Sequence, residues 1–151
     1  MSKYCWWLVA ILICMMIFSF SSETADDSTE TSIGFLSKII DLLPFTSDLT
    51  ETDKAALLEV LDGTVRKCAH FAIYAALGFF LLGALRRTFD HSTALITIIF
   101  CVLYAVSDEV HQFFVGGRSG QISDVFVDSF GSIAGMLVYM GLAKVIKLIR
   151  N

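Results

Sequence analysis

Ionisable side chains recur at helical spacing in three apolar segments of the sequence. Lys67, His70 and Tyr74 are three or four residues apart in the first segment, and Asp124 and Asp128 are four apart in the last. The middle segment carries five polar residues close together: Tyr104, Asp108, Glu109, His111 and Gln112. Residues three and four apart share one face of a helix, so each segment presents a polar face. A histidine beside carboxylates can move a proton during catalysis.

The residue types predict two groups of functional side chains. The candidate catalytic residues are His70, Asp108, Glu109, His111, Gln112 and Asp128. The candidate substrate-binding residues are Lys67, Tyr74, Tyr104, Arg118, Ser119 and Asp124. Arg118 and Ser119 lie in a glycine-rich turn, where a guanidinium among backbone amides suits a phosphate. Asp124 and Asp128 also offer oxygen ligands for a divalent cation, but such sites have no sharp spacing rule, so the cofactor is left open.

Each of these residues also has a purely structural interpretation. Asp124 can serve as the N-cap of the last helix, and His70 can merely hydrogen-bond a carboxylate. Arg118 can be a solvated loop charge. Glu109 lies off the Asp108 face and is expected to point to headgroup water or to Arg118. The convergence of several ionisable groups therefore carries more weight than any one of them, because each costs a few kcal/mol in hydrocarbon unless it is paired.

The composition places these residues in a membrane. The chain has 151 residues, of which 56% are hydrophobic and 17% charged. An average soluble domain is about 45–50% apolar and about 25% charged, which disfavours a soluble enzyme. Four spans of about 20 residues each would occupy roughly half the chain. We therefore predict an all-α integral membrane protein with one four-helix domain over residues 1–151. The four cysteines fit no disulfide or metal pattern and are predicted to be buried small hydrophobes.

Four apolar runs are the predicted spans, at about residues 4–20, 66–85, 92–115 and 123–143. The first run has a rival interpretation as a cleaved signal peptide, because Lys3 precedes it and small residues end it. The aromatic pair Trp6 and Trp7 instead favours a retained span with tryptophan anchors at the membrane interface.

Residues 21–63 form the one long polar loop, with ten acidic residues against two basic ones. Apolar residues at helical spacing precede Pro44, and others follow the capping-box-like pair Thr50 and Asp53. Two short amphipathic helices at the membrane surface would use these stripes. A lid that caps the bundle is the alternative interpretation.

Basic residues near the span ends predict the orientation. They are Lys3, Arg86, Arg87, Lys144, Lys147 and Arg150, which would be cytoplasmic together with both termini. The polar faces then lie near the outer surface, where membrane lipids are the expected partners. Nucleic acid is disfavoured by the net charge of −4. Gly131 and Gly135 allow a close helix approach, either within the monomer or in a homo-oligomer.

The combined motifs resemble those of the VanZ-like family. They are Arg66-Lys67-x-x-His70-Phe71-x-x-Tyr74, Tyr104-x-x-x-Asp108-Glu109-x-His111-Gln112, Gly117-Arg118-Ser119-Gly120 and Asp124-x-x-x-Asp128-x-x-Gly131. One departure is Gly116, where many relatives have a proline. The resemblance implies a small multi-pass protein of the bacterial cell membrane, associated with resistance to the lipoglycopeptide teicoplanin. It implies no established reaction.

More loosely, the inward-facing histidine and acidic residues resemble those of base-exchange phosphatidylserine synthases and of toxins that cleave lipid-linked cell-wall precursors. This implies chemistry on lipid headgroup phosphates. Two hypotheses follow: a transferase or hydrolase acting on a phospholipid or polyprenyl-phosphate headgroup, and a non-catalytic module that binds lipid or lipoglycopeptide. An ion or proton transporter is disfavoured, because transporter sites usually lie near the membrane midplane.

Overall fold

The computed structural model describes residues 2–42, 50–89, 93–118 and 120–150, and in this part of the chain the regular structure is entirely helical. The five helices are α1 (Lys3–Ser21), α2 (Ala25–Leu42), α3 (Glu51–Thr88), α4 (Ala94–Phe113) and α5 (Ile122–Arg150). All except α2 are long and apolar enough to cross a membrane. The predicted all-α class with four candidate spans is therefore confirmed.

Helix α3 differs from the sequence expectation because it is continuous for 38 residues. Thr50 and Asp53 form the expected capping box at its start. The helix then runs through Gly63 into the apolar segment without a break, so the second predicted short helix is continuous with the helix that contains the span. One glycine costs only about 1 kcal/mol in a helix, too little to end it. At 1.5 Å per residue, 38 residues extend about 57 Å, roughly twice the hydrocarbon thickness.

The capping box gives a testable contribution to this long helix. We expect Thr50→Ala to destabilise the first turn of α3 by about 1 kcal/mol, since the hydroxyl that accepts from the backbone N–H of Asp53 is lost. Amide hydrogen exchange over residues 51–54 measures the effect. Thr52→Ala is the matched control, and equal exchange in the two variants would contradict the assignment.

Helix α2 packs on α3 through part of its apolar stripe. It begins at Ala25, well before the predicted stripe, and its Leu36 and Ile40 are buried, with 5% and 4% exposure. Contacts between α2 and α3 account for this burial. The packing agrees with the alternative in which this segment caps the bundle. Leu43, the last residue of the predicted stripe, and Pro44, which follows it, lie outside the described residues.

Small residues let α3 and α5 approach closely. A Cβ atom added at three glycines would overlap the facing backbone: Gly78 opposite Ser132, Gly131 opposite Phe71, and Gly135 opposite Ala75. The Gly131 and Gly135 face is thus used within one chain. A homo-oligomer would need another surface, and that partner prediction stays untested.

Trp6 is a packed residue, which makes its predicted role as an interfacial anchor wrong. It is 8% exposed and its ring stacks on Phe79 at 5.7 Å between centroids. The Arg87 guanidinium lies 4.1 Å from the centre of the Trp6 ring. Gly83 leaves the space that this ring fills. The indole therefore joins α1 to α3 at the end of the bundle that carries the basic residues.

The prediction that all cysteines are buried is also wrong. Cys101 is buried and Cys14 is half-buried, but Cys5 and Cys68 are exposed. All four thiols are free. Cys5 and Cys68 lie on helices that could span a membrane. An apolar thiol facing lipid there needs no burial within the protein.

Candidate functional site

The polar end of the bundle, where α1 and α4 end and α5 begins, brings together most of the predicted site residues. His70 is contributed by α3, Asp108 by α4 and Asp128 by α5. The Ser21 hydroxyl at the end of α1 donates to the backbone carbonyl of Asp108 at 3.5 Å. Three candidate spans thus supply one cluster, with the fourth packed against it.

His70 and Asp128 form the centre of this cluster. His70 Nδ1 lies 3.4 Å from Asp128 Oδ1, and Asp128 is 0% exposed. Neither carboxylate oxygen of Asp128 makes a hydrogen bond within the described part of the chain. A buried ionised carboxylate is costly without a positive partner, and a protonated His70 is in position to provide one.

Asp108 completes a group that could hold a divalent cation. One ligand atom each from His70, Asp108 and Asp128 lies within 4.8 Å of the others. Of the two predicted metal ligands, Asp128 belongs to this group and Asp124 does not. Asp124 Oδ1 instead lies 3.5 Å from Lys67 Nζ. Asp124 is also the third residue of α5, so it is not the N-cap considered above.

A polar cavity of about 280 Å³ opens beside His70. Its charged lining residues are Arg66, Lys67, Arg118 and Asp124. We call this the polar cavity. Three positive side chains against one carboxylate give its wall a positive balance, which favours an anionic ligand.

Arg118 is anchored without an acidic partner. Its guanidinium donates to Ser28 Oγ at 2.6 Å and to the Phe20 carbonyl at 3.3 Å, and forms no ion pair with any described residue. Burial, followed by the nearby charge of Arg66, lowers the pKa of Arg118. The guanidinium nevertheless stays protonated at neutral pH. Its charge is only partly solvated, so an anion in the polar cavity would stabilise it.

Arg66 was part of the recognised motif but received no role from sequence. Its guanidinium lies 2.5 Å from Asp62 Oδ2, and Ser32 of α2 also donates to Asp62. The four-residue spacing of Asp62 and Arg66 could have indicated their pairing. Nothing in the sequence pointed to Ser28, since it meets Arg118 across 90 residues.

His111 has different contacts from His70. Its Nε2 lies 3.1 Å from Ser22 Oγ, and its ring stacks on Phe18 at 4.8 Å. Both contacts are with α1 or its C-cap. Neither contact is with His70 or Asp128, and a proton-transfer role of His111 stays a prediction.

Tyr104 and Glu109 also have structural partners. The Tyr104 hydroxyl donates to the Cys14 carbonyl at 2.7 Å and ties α4 to α1. Glu109 is 6% exposed, and its Oε2 accepts from the backbone N–H of Gln121 at 2.7 Å. The expectation that Glu109 points to headgroup water or Arg118 is thus wrong. This carboxylate holds the start of α5 against the end of α4.

Two further predicted residues support the cluster. Gln112 lines the polar cavity and donates to Asp108 Oδ2 at 3.3 Å. Tyr74 lies one helical turn deeper than His70 and is 0% exposed, and its hydroxyl has no hydrogen-bond partner among the described residues. Ser119 lies outside the described residues.

A comparison with known protein families identifies the family of this chain. The family model described as VanZ/LLP1 matches residues 6–147, which include all the candidate site residues and most of the four candidate spans. Neither a curated protein nor a solved structure matches the chain. With its all-helical fold and four apolar helices, the chain belongs to the VanZ/LLP1 family of membrane proteins.

Proposed function

We propose that this protein binds the phosphate of a lipid headgroup, or of a lipid-linked cell-envelope intermediate, and transfers or hydrolyses the headgroup. One observation carries the proposal: Arg118, which has no described carboxylate partner, shares the polar cavity with His70, behind which lies the buried Asp128. An anion-binding group thus adjoins a group able to transfer a proton. The helices that carry the cluster are candidate membrane spans, so a lipid is the phosphate source to which the site has access.

The chemistry of each side chain gives its proposed role. The planar guanidinium of Arg118 can donate hydrogen bonds to two phosphate oxygens. Lys67, which is held by Asp124, adds a second positive charge. His70 directs Nδ1 to Asp128, which leaves Nε2 to take a proton from the attacking hydroxyl or water as its oxygen bonds to phosphorus. The P–O bond to the headgroup breaks, and the proton passes from Nε2 to the leaving alkoxide. Asp128 stabilises the imidazolium that forms, as an orienting carboxylate does in hydrolytic triads. The group of His70, Asp108 and Asp128 also fits a divalent cation, which would supply positive charge to the phosphate.

The proposed orientation places the polar end at the outer face of the bacterial cell membrane, with both termini in the cytoplasm. The basic residues at the opposite end support it, because Lys and Arg concentrate on the cytoplasmic side. These residues are Lys3, Arg86, Arg87, Lys144, Lys147 and Arg150. The association with teicoplanin resistance, which the resemblance implies, belongs to the same proposal.

Replacement of Arg118 tests the phosphate role. We expect Arg118→Gln to weaken binding of phosphatidylglycerol vesicles to the protein by about 10- to 150-fold, since a hydrogen bond to a charged group contributes about 1.5–3 kcal/mol. Vesicle binding by the purified full chain and the lipid profile of expressing cells are the two measurements. Arg150→Gln, at the opposite end of α5, is the matched control.

The outcomes separate the two hypotheses for function. Altered headgroups with wild-type protein, absent with Arg118→Gln, support an enzyme. Unaltered headgroups with binding that still depends on Arg118 support a lipid-binding module. Equal results for Arg118→Gln and Arg150→Gln in both measurements would contradict a phosphate-binding role of Arg118. Teicoplanin susceptibility of the same strains reports on the resistance association.

A further inference from the structure

A second cavity adjoins the polar cavity and has different chemistry. It has a volume of about 260 Å³ and lies among residues of α1, α2 and α3. We call it the apolar cavity, because the surface that faces it is mostly hydrocarbon; its apolar lining residues are Ile17, Phe20, Phe35, Val65, Ala69 and Ile73. Arg66, His70 and Arg118 line both cavities. The boundary between an apolar and a polar compartment is thus formed by two guanidinium groups and an imidazole.

We infer that the two cavities form one bipartite site for a phosphodiester lipid. The phosphate lies at the boundary against Arg66 and Arg118, the headgroup extends into the polar cavity, and the start of a lipid chain occupies the apolar cavity. This inference rests on the proposed function and narrows its substrate class. The ligand is a phosphodiester that carries a chain, and not a soluble phosphate ester.

Charge favours an anion at this boundary. The charge of Arg66 is partly compensated by Asp62, whereas Arg118 has only neutral partners. Two guanidinium groups near one another repel, and a phosphate between them removes this repulsion. Glu23 also lines the apolar cavity, and its charge disfavours an anionic group on that side. Apart from the hydroxyls of Ser28, Thr31 and Ser32, the remaining lining residues are apolar, which suits a hydrocarbon chain.

Helix α2 gives the site its shape. Ser28 of α2 holds Arg118, and Ser32 of α2 holds Asp62, which in turn holds Arg66. The same helix contributes Phe35 to the apolar cavity. Both guanidinium groups and part of the hydrocarbon wall are therefore fixed by one helix. Its packing on α3 positions a lipid chain and a phosphate together.

A substitution that fills the apolar cavity tests the inference. Ala69→Phe adds bulk at a position that lines this cavity, while Cys68→Phe adds the same group at an exposed neighbour that lines neither cavity. The full chain in maltoside micelles is titrated with dioleoyl phosphatidylglycerol and with glycerophosphoglycerol, its headgroup without chains. We expect Ala69→Phe to lower affinity for the lipid about tenfold, close to the loss of one well-placed contact, and to leave glycerophosphoglycerol binding unchanged. Cys68→Phe should alter neither.

Photolabelling locates the chain directly. A phosphatidylglycerol with a diazirine near the start of one chain should label Phe20 and Phe35 in the wild-type protein. This labelling should disappear in Ala69→Phe and persist in Cys68→Phe. Labelling of these phenylalanines that is unchanged in Ala69→Phe would overturn the chain assignment.

The results distinguish failure of this inference from failure of the proposed function. Equal affinity of the wild-type protein for the lipid and for glycerophosphoglycerol would make the ligand a soluble phosphodiester and overturn the chain assignment alone. Loss of both ligands in Ala69→Phe would show a general disturbance and overturn it as well. Binding of both ligands that is unaffected by Arg66→Gln and Arg118→Gln would overturn the phosphate site, and the inference with it.

Discussion

Replacing His70 by alanine should lower headgroup turnover by about 10²- to 10⁴-fold, the usual contribution of a positioned general base. His70 is the histidine whose ring nitrogen lies 3.4 Å from a fully buried carboxylate, and it lines the polar cavity. His111→Ala is the matched control. Because His111 contacts Ser22 and Phe18, we expect this change to leave turnover within about tenfold of the wild type. Turnover of a phosphodiester lipid by the purified protein measures both.

The buried carboxylate of Asp128 allows the effect on stability to be separated from the effect on turnover. Removing His70 leaves Asp128 buried without the imidazole that faces it, which costs up to about 3–5 kcal/mol of stability if the carboxylate stays ionised. The double variant His70→Ala with Asp128→Asn should therefore recover stability but not turnover. Thermal unfolding in detergent reports the first effect, and the lipid assay the second. Equal turnover in His70→Ala and His111→Ala would contradict the assignment of the base.

Gly135→Leu should prevent α3 and α5 from packing and thereby remove lipid binding. Even a Cβ atom at this position would overlap the backbone of Ala75. Ordinary overpacking costs about 1–3 kcal/mol, and a clash with backbone that cannot rotate away should cost at least this much. Since α3 carries His70 and α5 carries Asp128, their separation also breaks the pair. Thermal unfolding and lipid binding should both change.

Gly141→Leu is the matched control on the same helix. No atom lies within 4 Å of a Cβ built at Gly141, so the leucine has room outside the bundle. We expect its unfolding temperature and lipid binding to stay near those of the wild type. Comparable instability of the two variants would mean that α5 does not depend on the close approach to α3.

Sequence patterns predicted the parts of this molecule that depend on local periodicity. Apolar runs gave the four candidate spans, and the spacing of His70, Asp108 and Asp128 placed them on inward faces. The long-range contacts were not predictable. His70 and His111 both lie on apolar helices among polar residues, and their contacts with residues far away in sequence distinguish them: Asp128 for His70, Ser22 and Phe18 for His111. Ser28 and Arg118 meet across 90 residues, a distance at which no local spacing applies.

The other differences arise from weak or ambiguous local signals. Gly63 was expected near the end of a loop, but a helix tolerates it when α2 packs alongside. A tryptophan near a span end is typical of an interfacial anchor, yet the space at Gly83 draws Trp6 into the protein. The cysteines show the same limit, since an apolar thiol faces lipid or protein equally well.

The unbroken α3 also determines how deep each of its polar side chains lies. Asp62, Arg66, His70 and Tyr74 follow one another at four-residue intervals along its length. With a rise of 1.5 Å per residue, these groups descend in steps of about 6 Å. The Asp62 carboxylate, the proposed phosphate-binding guanidinium, the proposed general base and the Tyr74 phenol therefore lie at successive depths along one helix. The apolar half of α3 would set the depth of the helix in the bilayer. The position of the lipid surface would then determine which of these side chains a headgroup reaches.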